Sequence, residues 1–149
     1  MFNVIDHIHT HRERYVEELK AFLAIPSISA LPDHEADVRR CAEWTADEMR
    51  RLGLENVRLI DTGGHPVVYG DWLHAEGAPT ILFYGHYDVQ PVDPVELWES
   101  PPFEATVRDG EIYARGAADD KGQVFMHFKA VEAHLKQNGN LPVNMKFLI

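Results

Sequence analysis

Cysteine is all but missing from this chain: a single residue, Cys41, stands among 149. One thiol cannot close an internal disulfide, which excludes a disulfide-stapled scaffold and fits a reducing compartment. Positive charge is also scarce. Fourteen Lys and Arg face 24 Asp and Glu, a formal net charge of −10. So acidic a surface repels a phosphate backbone, which argues against nucleic acid as a partner. No apolar run approaches the roughly 20 residues that span a bilayer, and no charged-then-apolar leader opens the chain. We therefore expect a soluble cytoplasmic protein with no membrane partner. Repeats and low-complexity tracts are absent too. What remains is ordinary globular composition, 45% apolar and 26% charged, at a length suited to one domain with one sizeable core.

What is present is a periodicity that changes along the chain. From Phe2 to about Leu23 the residues Ile5, Ile8, Tyr15, Leu19 and Phe22 recur at helical spacing, and Pro26 ends the helix. IPSISALPD is a turn-rich connector in which Asp33 can cap a second helix. That helix aligns Val38, Cys41, Thr45, Met49 and Leu52 on one face and stops near Gly53, so Cys41 reads as core packing. NVRLI and PVVYGDW read as short strands, with Gly63 and Gly64 turning between them. TILFY is apolar throughout, the pattern of a strand covered on both faces; we expect it at the sheet centre, beneath the second and third helices. A loop rich in Pro and Asp runs from Val89 to Pro102. FEATVRDGEIYA reads as a hairpin turning at Asp109 and Gly110. A third helix, Lys121 to Asn138, sets Val124, Phe128, Val131 and Leu135 on one face, and VNMKFLI is a last strand. The alternation argues for an α/β fold, a mixed sheet with helices on both faces. The chain stops at Ile149, in or at the end of that strand, and we expect residues 1–149 to be an incomplete part of one domain.

Chemistry concentrates at two places. ILFYGHYDVQP, residues 81–91, ends a strand by presenting His86 and Asp88 two residues apart. Alternation along a strand sends both to the same face, and open α/β sheets build their sites beyond the carboxyl ends of strands. RGAADDKG, residues 115–122, places Asp119 and Asp120 at a helix start, where backbone N–H groups stabilise carboxylates. A neutral imidazole and carboxylates are ligands that zinc and similar ions favour, and Asp88 suits a carboxylate that fixes the His86 tautomer. RGAADDKG lacks the Walker spacing and carries two acids where phosphate would sit. On the residues alone, an HxD pair and an acidic helix start are weak signals that support only a candidate metal site. His7, His9 and His11 read as solvated positions, and His127 and His134 as core or rim packing. Trp98, Pro102 and Phe103 read as packing of a long loop.

GHYDVQP, WESPPF (residues 98–103) and DGEIYARGAADDKG, in this order and spacing, resemble the M20 family of metallopeptidases. The likeness is strongest to its dipeptidase branch, which includes carnosine-type dipeptidases, and the IPSIS connector extends it over essentially the whole chain. The resemblance implies a two-zinc hydrolase of peptide bonds, with other divalent ions such as manganese or cobalt as alternatives. It implies that this chain is the N-terminal portion of a catalytic domain that a smaller lid domain interrupts. The implied substrate is a small peptide or an N-acyl amino acid, and a homodimeric parent is allowed. The resemblance also makes Trp98, Pro102 and Phe103 walls of a substrate pocket, a reading equal to loop packing. Carried over by motif, His86 and Asp119 are metal ligands, Asp119 bridging both metals, and Asp88 is the catalytic-site carboxylate that clamps the His86 imidazole. Asp120 receives no ligand role, and the Asp119–Asp120 peptide bond is implied to be cis. The family's general-base glutamate and remaining ligands fall beyond Ile149. Two ligands are fewer than the three protein groups a catalytic zinc takes, so this chain alone is expected to bind divalent ions weakly and to be inactive. The rival readings are a deacylase of N-acylated amino acids on the same metal core and a non-catalytic binding fragment.

Overall fold

The computed structural model describes residues 3–149, so Phe2, the expected start of the first helix, lies outside the described residues. Asn3 opens the chain's first helix with a capping box: its side chain accepts the Asp6 N–H at 2.9 Å and the Asp6 carboxylate accepts in return. The single helix expected up to Leu23 is two, α1 (Val4–Thr10) and α2 (Arg12–Leu23). They part at His11, whose Nδ1 turns back onto the His7 carbonyl at 2.8 Å while its ring stacks on His7. A side chain thus shares an acceptor of the helical ladder.

A 3-10 turn at Pro32–His34 leads into α3 (Glu35–Leu52). Asp33, expected as the cap, sits inside that turn. The position before α3 belongs to His34, which makes no side-chain cap. Proline at 32 presets a helical φ and starts the turn early. The face read from sequence is the buried one: Val38, Cys41, Thr45 and Met49 are fully buried and Leu52 nearly so. Gly53 ends the helix in the left-handed region, φ 91°.

Four strands form the main sheet in the order β1 (Glu55–Ile60), β2 (Val67–Trp72), β6 (Asn144–Leu148), β3 (Thr80–Tyr84). β1 and β6 run antiparallel to β2, and β3 runs parallel to β6, so the sheet is mixed as expected. A separate hairpin joins β4 (Thr106–Arg108) to β5 (Glu111–Tyr113). Its turn residues Asp109 and Gly110 both have positive φ, 51° and 85°, the primed turn that matches strand twist. α4 (Lys121–Asn138) has the bounds read from sequence. No helix among the described residues is long and apolar enough to cross a membrane.

Two expectations about the sheet are corrected. TILFY is β3, an edge strand; β6 is central. Ile81, Leu82 and Tyr84 are 47%, 59% and 74% exposed. The cause is strand order, because the last strand inserts between β2 and β3 and leaves β3 at the rim. The second correction concerns the layers. Gly70 and Phe147 are register partners and share a face. A Cβ on Gly70 would lie 3.0 Å from Met49 Sδ of α3, and Phe147 meets Phe128 of α4 with ring centroids 5.5 Å apart. Both long helices therefore cover the same face. The opposite face, with Tyr69, Asp71, Lys146, Leu82 and Tyr84, carries neither of them.

Candidate metal centre

Beyond Tyr84 the chain leaves β3 alongside the end of β6, where the Gly85 N–H donates to the Leu148 carbonyl at 3.3 Å. A Cβ at position 85 would lie 2.7 Å from Val124 and 2.9 Å from Asp120 Oδ2. Glycine here lets the start of α4 close onto the strand end. His86 follows at once, and its backbone N–H donates to Asp120 Oδ2 at 3.1 Å. Its Nδ1 faces Asp88 Oδ1 at 3.0 Å and the Asp88 carbonyl at 3.1 Å, while Nε2 faces Asp119 Oδ1 at 3.0 Å. The Asp119–Asp120 peptide bond is cis, as the resemblance implies.

The 117–122 loop that carries these acids folds onto itself. A Cβ on Gly122 would sit 2.0 Å from the Ala117 carbonyl oxygen, so no other residue fits there. Lys121, fully buried, ties the loop to the end of α2 by donating to Phe22 O at 3.0 Å and Ile25 O at 2.6 Å. Carbonyls past a helix C-terminus lack ladder partners and carry partial negative charge, which suits an ammonium.

Both His86 nitrogens therefore face acceptors. A neutral imidazole donates from one nitrogen only, so a cation is called for between Nε2 and Asp119, either a second proton or a metal ion. The pKa of His86 is accordingly raised. Burial alone would lower it, but the Asp88 carbonyl, the Asp119 carboxylate and the charges of Asp88 and Asp120 prevail. With two acceptors on Nδ1, the proton stays there and the Nε2 lone pair is left for an ion. An imidazole and a carboxylate converging in this way fit a divalent cation, and His86 and Asp119 are the residues that can hold it. Their side chains are 42% and 82% exposed, so the point of convergence is open to solvent.

Sequence reasoning passed over two residues of this cluster. Asp120 was given no ligand role; it secures the backbone of His86. Ser29 was part of the IPSIS connector only, yet its hydroxyl donates to Asp88 Oδ2. The signal was the alternation in IPSIS, which sends Ser27 and Ser29 to the same side of an extended segment.

The remaining candidates are packing residues. His7 is buried, not solvated, with Nδ1 at 2.8 Å from the Gln137 amide. His127 lies against Phe83, ring centroids 4.0 Å apart, and burial lowers its pKa. Cys41 is fully buried near the Tyr87 carbonyl, and burial pushes its thiol pKa up. Trp98 lines an open cleft of about 510 Å³ together with Leu97, Arg108, Tyr113 and Ala118; Pro102 and Phe103 are not among its walls.

A second acidic group invites a metal reading. Glu18, Glu48 and Glu132 bring carboxylate oxygens within 4.8 Å of one another. The Lys129 ammonium already sits among them, donating to Glu18 at 2.5 Å, Glu48 at 2.6 Å and Glu132 at 3.2 Å. Arg51 adds bonds to Glu48 at 2.7 Å and Glu132 at 3.0 Å, and Arg14 pairs with Glu132 and Glu18. Three acids meet three bases. This is a structural network that joins α2, α3 and α4.

The His86 cluster is a candidate divalent-metal centre at the carboxyl end of β3 in a mixed α/β sheet. The model of peptidase family M20/M25/M40 matches residues 82–149, the segment that holds both motifs. The chain is 34% identical over 139 residues to the cysteinylglycine-S-conjugate dipeptidase of Corynebacterium striatum, covering 93% of this chain and 30% of that protein. Its structure is similar to that of human carnosine dipeptidase 1, with a TM-score of 0.90 and 35% identity over 98% of this chain and 33% of the other. It is also similar to the M20 family metallo-carboxypeptidase Sso-CP2 of Sulfolobus solfataricus, with a TM-score of 0.80 and 39% identity over 90% of this chain and 30% of the other. The chain thus spans about a third of the length of the relatives it matches.

Proposed function

We propose that this chain is the N-terminal portion of the catalytic domain of a two-zinc dipeptidase acting in the cytoplasm, and that the 149 residues alone do not turn over substrate. The observation that carries the proposal is the grip on His86, with Asp88 on one ring nitrogen, Asp119 on the other and Asp120 on its backbone N–H. A divalent ion held by His86 and Asp119 would supply Lewis acidity toward the scissile carbonyl and a water of lowered pKa. The chain's own residues do the aiming. Asp88 holds the proton on Nδ1 and orients the ring, while Asp120 stops the His86 backbone from swinging. Asp119 meets the imidazole through Oδ1, and as a carboxylate it would be the residue able to hold a second ion.

Several features support this reading. The names of the relatives favour dipeptides of the cysteinylglycine or carnosine kind as substrates. The open apolar rim at Leu82 and Tyr84 favours a longer parent whose further chain covers it. A single buried cysteine favours a reducing compartment. Zinc in preference to manganese or cobalt, and a homodimeric parent, belong to the same proposal.

The test uses the parent stripped of metal by a chelator and then resupplied with zinc, manganese or cobalt. Substrates are β-Ala-His, Cys-Gly and a set of N-acetyl amino acids. We expect dipeptide hydrolysis that disappears on stripping, returns with zinc and is abolished by His86→Ala. Turnover of N-acetyl amino acids only would assign a deacylase, and metal binding without turnover a non-catalytic protein. Robust turnover by the 149-residue chain itself would overturn its proposed inactivity.

A further inference from the structure

The connector between α2 and α3 lies beside the metal-centre segment. Ile28 pairs with Val89 in an isolated parallel bridge, and the Val89 N–H donates to Ser27 O at 2.9 Å. Ile28 and Val89 are each 2% exposed, so the bridge is inside the protein. On its flanks the two serines point the same way. The fully buried Ser27 donates its hydroxyl to the Tyr87 carbonyl at 2.7 Å, and Ser29 donates to Asp88 Oδ2. The carbonyl of Ser29 in turn meets His65 Nε2 at 3.2 Å, which ties the serine's own backbone to the loop that follows β1.

We infer that Ser29 is a positioning residue for the metal centre, setting the plane of the Asp88 carboxylate and through it the tautomer of His86. The inference rests on His86 being a metal ligand. An Asp carboxylate turns freely about its last torsion, which is broad and two-fold. With Oδ2 unheld, Asp88 can rotate out of line with Nδ1 or turn toward the ion itself. An ionised carboxylate only accepts, so the Ser29 hydroxyl can only donate to it. That bond occupies Oδ2 and leaves Oδ1 facing Nδ1 at 3.0 Å. Together with the Asp88 carbonyl at 3.1 Å, the held carboxylate keeps the imidazole proton on Nδ1, away from the competing acceptor Asp119 Oδ1, which lies 3.0 Å from Nε2. The chain Ser29, Asp88, His86 ends in a lone pair aimed where Asp119 converges. Groups behind a metal ligand act in this way by orienting it and raising its basicity.

The experiment compares wild type, Ser29→Ala, Ser29→Thr and His86→Ala in the 149-residue chain, with matched thermal unfolding as the control for folding. Cobalt(II) is titrated and followed by its visible absorbance. Nitrogen-15 NMR of the histidine rings, at a pH where they are neutral, reads the tautomer of His86. We expect Ser29→Ala to weaken cobalt binding by about tenfold, the lower end of what losing an outer partner of a ligand costs. A population with the proton on Nε2 should appear alongside. Ser29→Thr, which keeps the hydroxyl, should restore both. Wild-type affinity or an unchanged tautomer in Ser29→Ala would overturn the inference, and so would failure of Ser29→Thr to restore either. Cobalt binding that survives His86→Ala would instead show that His86 is not a ligand, a separate failure that the tautomer readout distinguishes.

Discussion

Two clusters in this protein each gather three carboxylates around a nitrogen base, and they differ in one respect that separates structure from chemistry. Around Lys129, the acids Glu18, Glu48 and Glu132 are matched by Lys129, Arg14 and Arg51, and Glu48, Glu132 and Lys129 are buried. Around His86, the acids Asp88, Asp119 and Asp120 meet one imidazole that is half-exposed. The first cluster supplies its own cations and is closed. The second is short of positive charge at a point reachable from solvent, a deficit that a divalent ion would redress. The difference teaches that carboxylate convergence alone does not mark a metal site; convergence that no lysine or arginine compensates is the better candidate.

The sharpest way to break the comparison is to unbalance the closed cluster. Lys129→Met should destabilise the fold by about 3–5 kcal/mol, because a buried pair that loses one partner leaves the other charge uncompensated. At roughly 2–4 °C per kcal/mol for a domain this size, thermal unfolding should fall by about 6–20 °C. A change under a few degrees would mean that Arg14 and Arg51 suffice. Next in size is His86→Ala. It should weaken metal binding in the parent by at least about 100-fold, the upper end of outer-partner losses, while moving stability by less than about 1 kcal/mol. Calorimetric titration and a melt on the same sample check both halves. The closed cluster should carry the stability and the open one the affinity.

Acid should find the closed cluster too. Burial alone would raise the pKa of Glu132, but the Arg14 hydrogen bond, the Lys129 charge and the Arg51 hydrogen bond hold it down to about 2. A carboxyl with a folded value below its ordinary value of 4.5 stabilises the fold fully above that value and stops doing so as pH falls toward 2. The urea midpoint should therefore drop between pH about 5 and 2, and Glu132→Gln should flatten that drop while costing about 1–3 kcal/mol at neutral pH. A wild-type profile flat across this range would contradict the assignment. The smallest expected effect is Asp120→Asn. The amide oxygen still accepts from the His86 N–H, without charge assistance worth about 1 kcal/mol, so metal affinity in the parent should fall by only about fivefold. A loss as large as that of His86→Ala would make Asp120 a ligand in its own right.

Elements whose signals are local came through from sequence with little error. α4 begins at Lys121 and ends at Asn138 as its pattern says, and Asp109-Gly110 turns its hairpin. The face of α3 that carries Cys41 is the buried one. His86, Asp88 and Asp119 do converge, which the motifs suggested and the geometry shows. Errors arise where a local side-chain bond or a neighbouring proline overrides spacing, and where the answer depends on distant chain. The break at His11 depends on a ring stacking and a side-chain bond within one turn, which spacing does not register. TILFY looked like a central strand because an apolar run reports how little water a strand tolerates, not which strands flank it.

By itself, then, the sequence determined what one segment can decide: helix and strand periods, turns, the burial of Cys41, and the imidazole and carboxylates offered at 86–88 and 119–120. Those properties follow from backbone torsions and side-chain spacing within a few residues. Only the tertiary structure decided that β6 lies between β2 and β3, that both long helices cover one face, and that Ser29 reaches Asp88 across 59 positions. It also decided that Lys129 fills one acidic cluster while, among the described residues, no lysine or arginine pairs with the other. Such outcomes depend on which remote surfaces pack and which charges they bring together, and pairwise distances of that kind are fixed by the closed core as a whole.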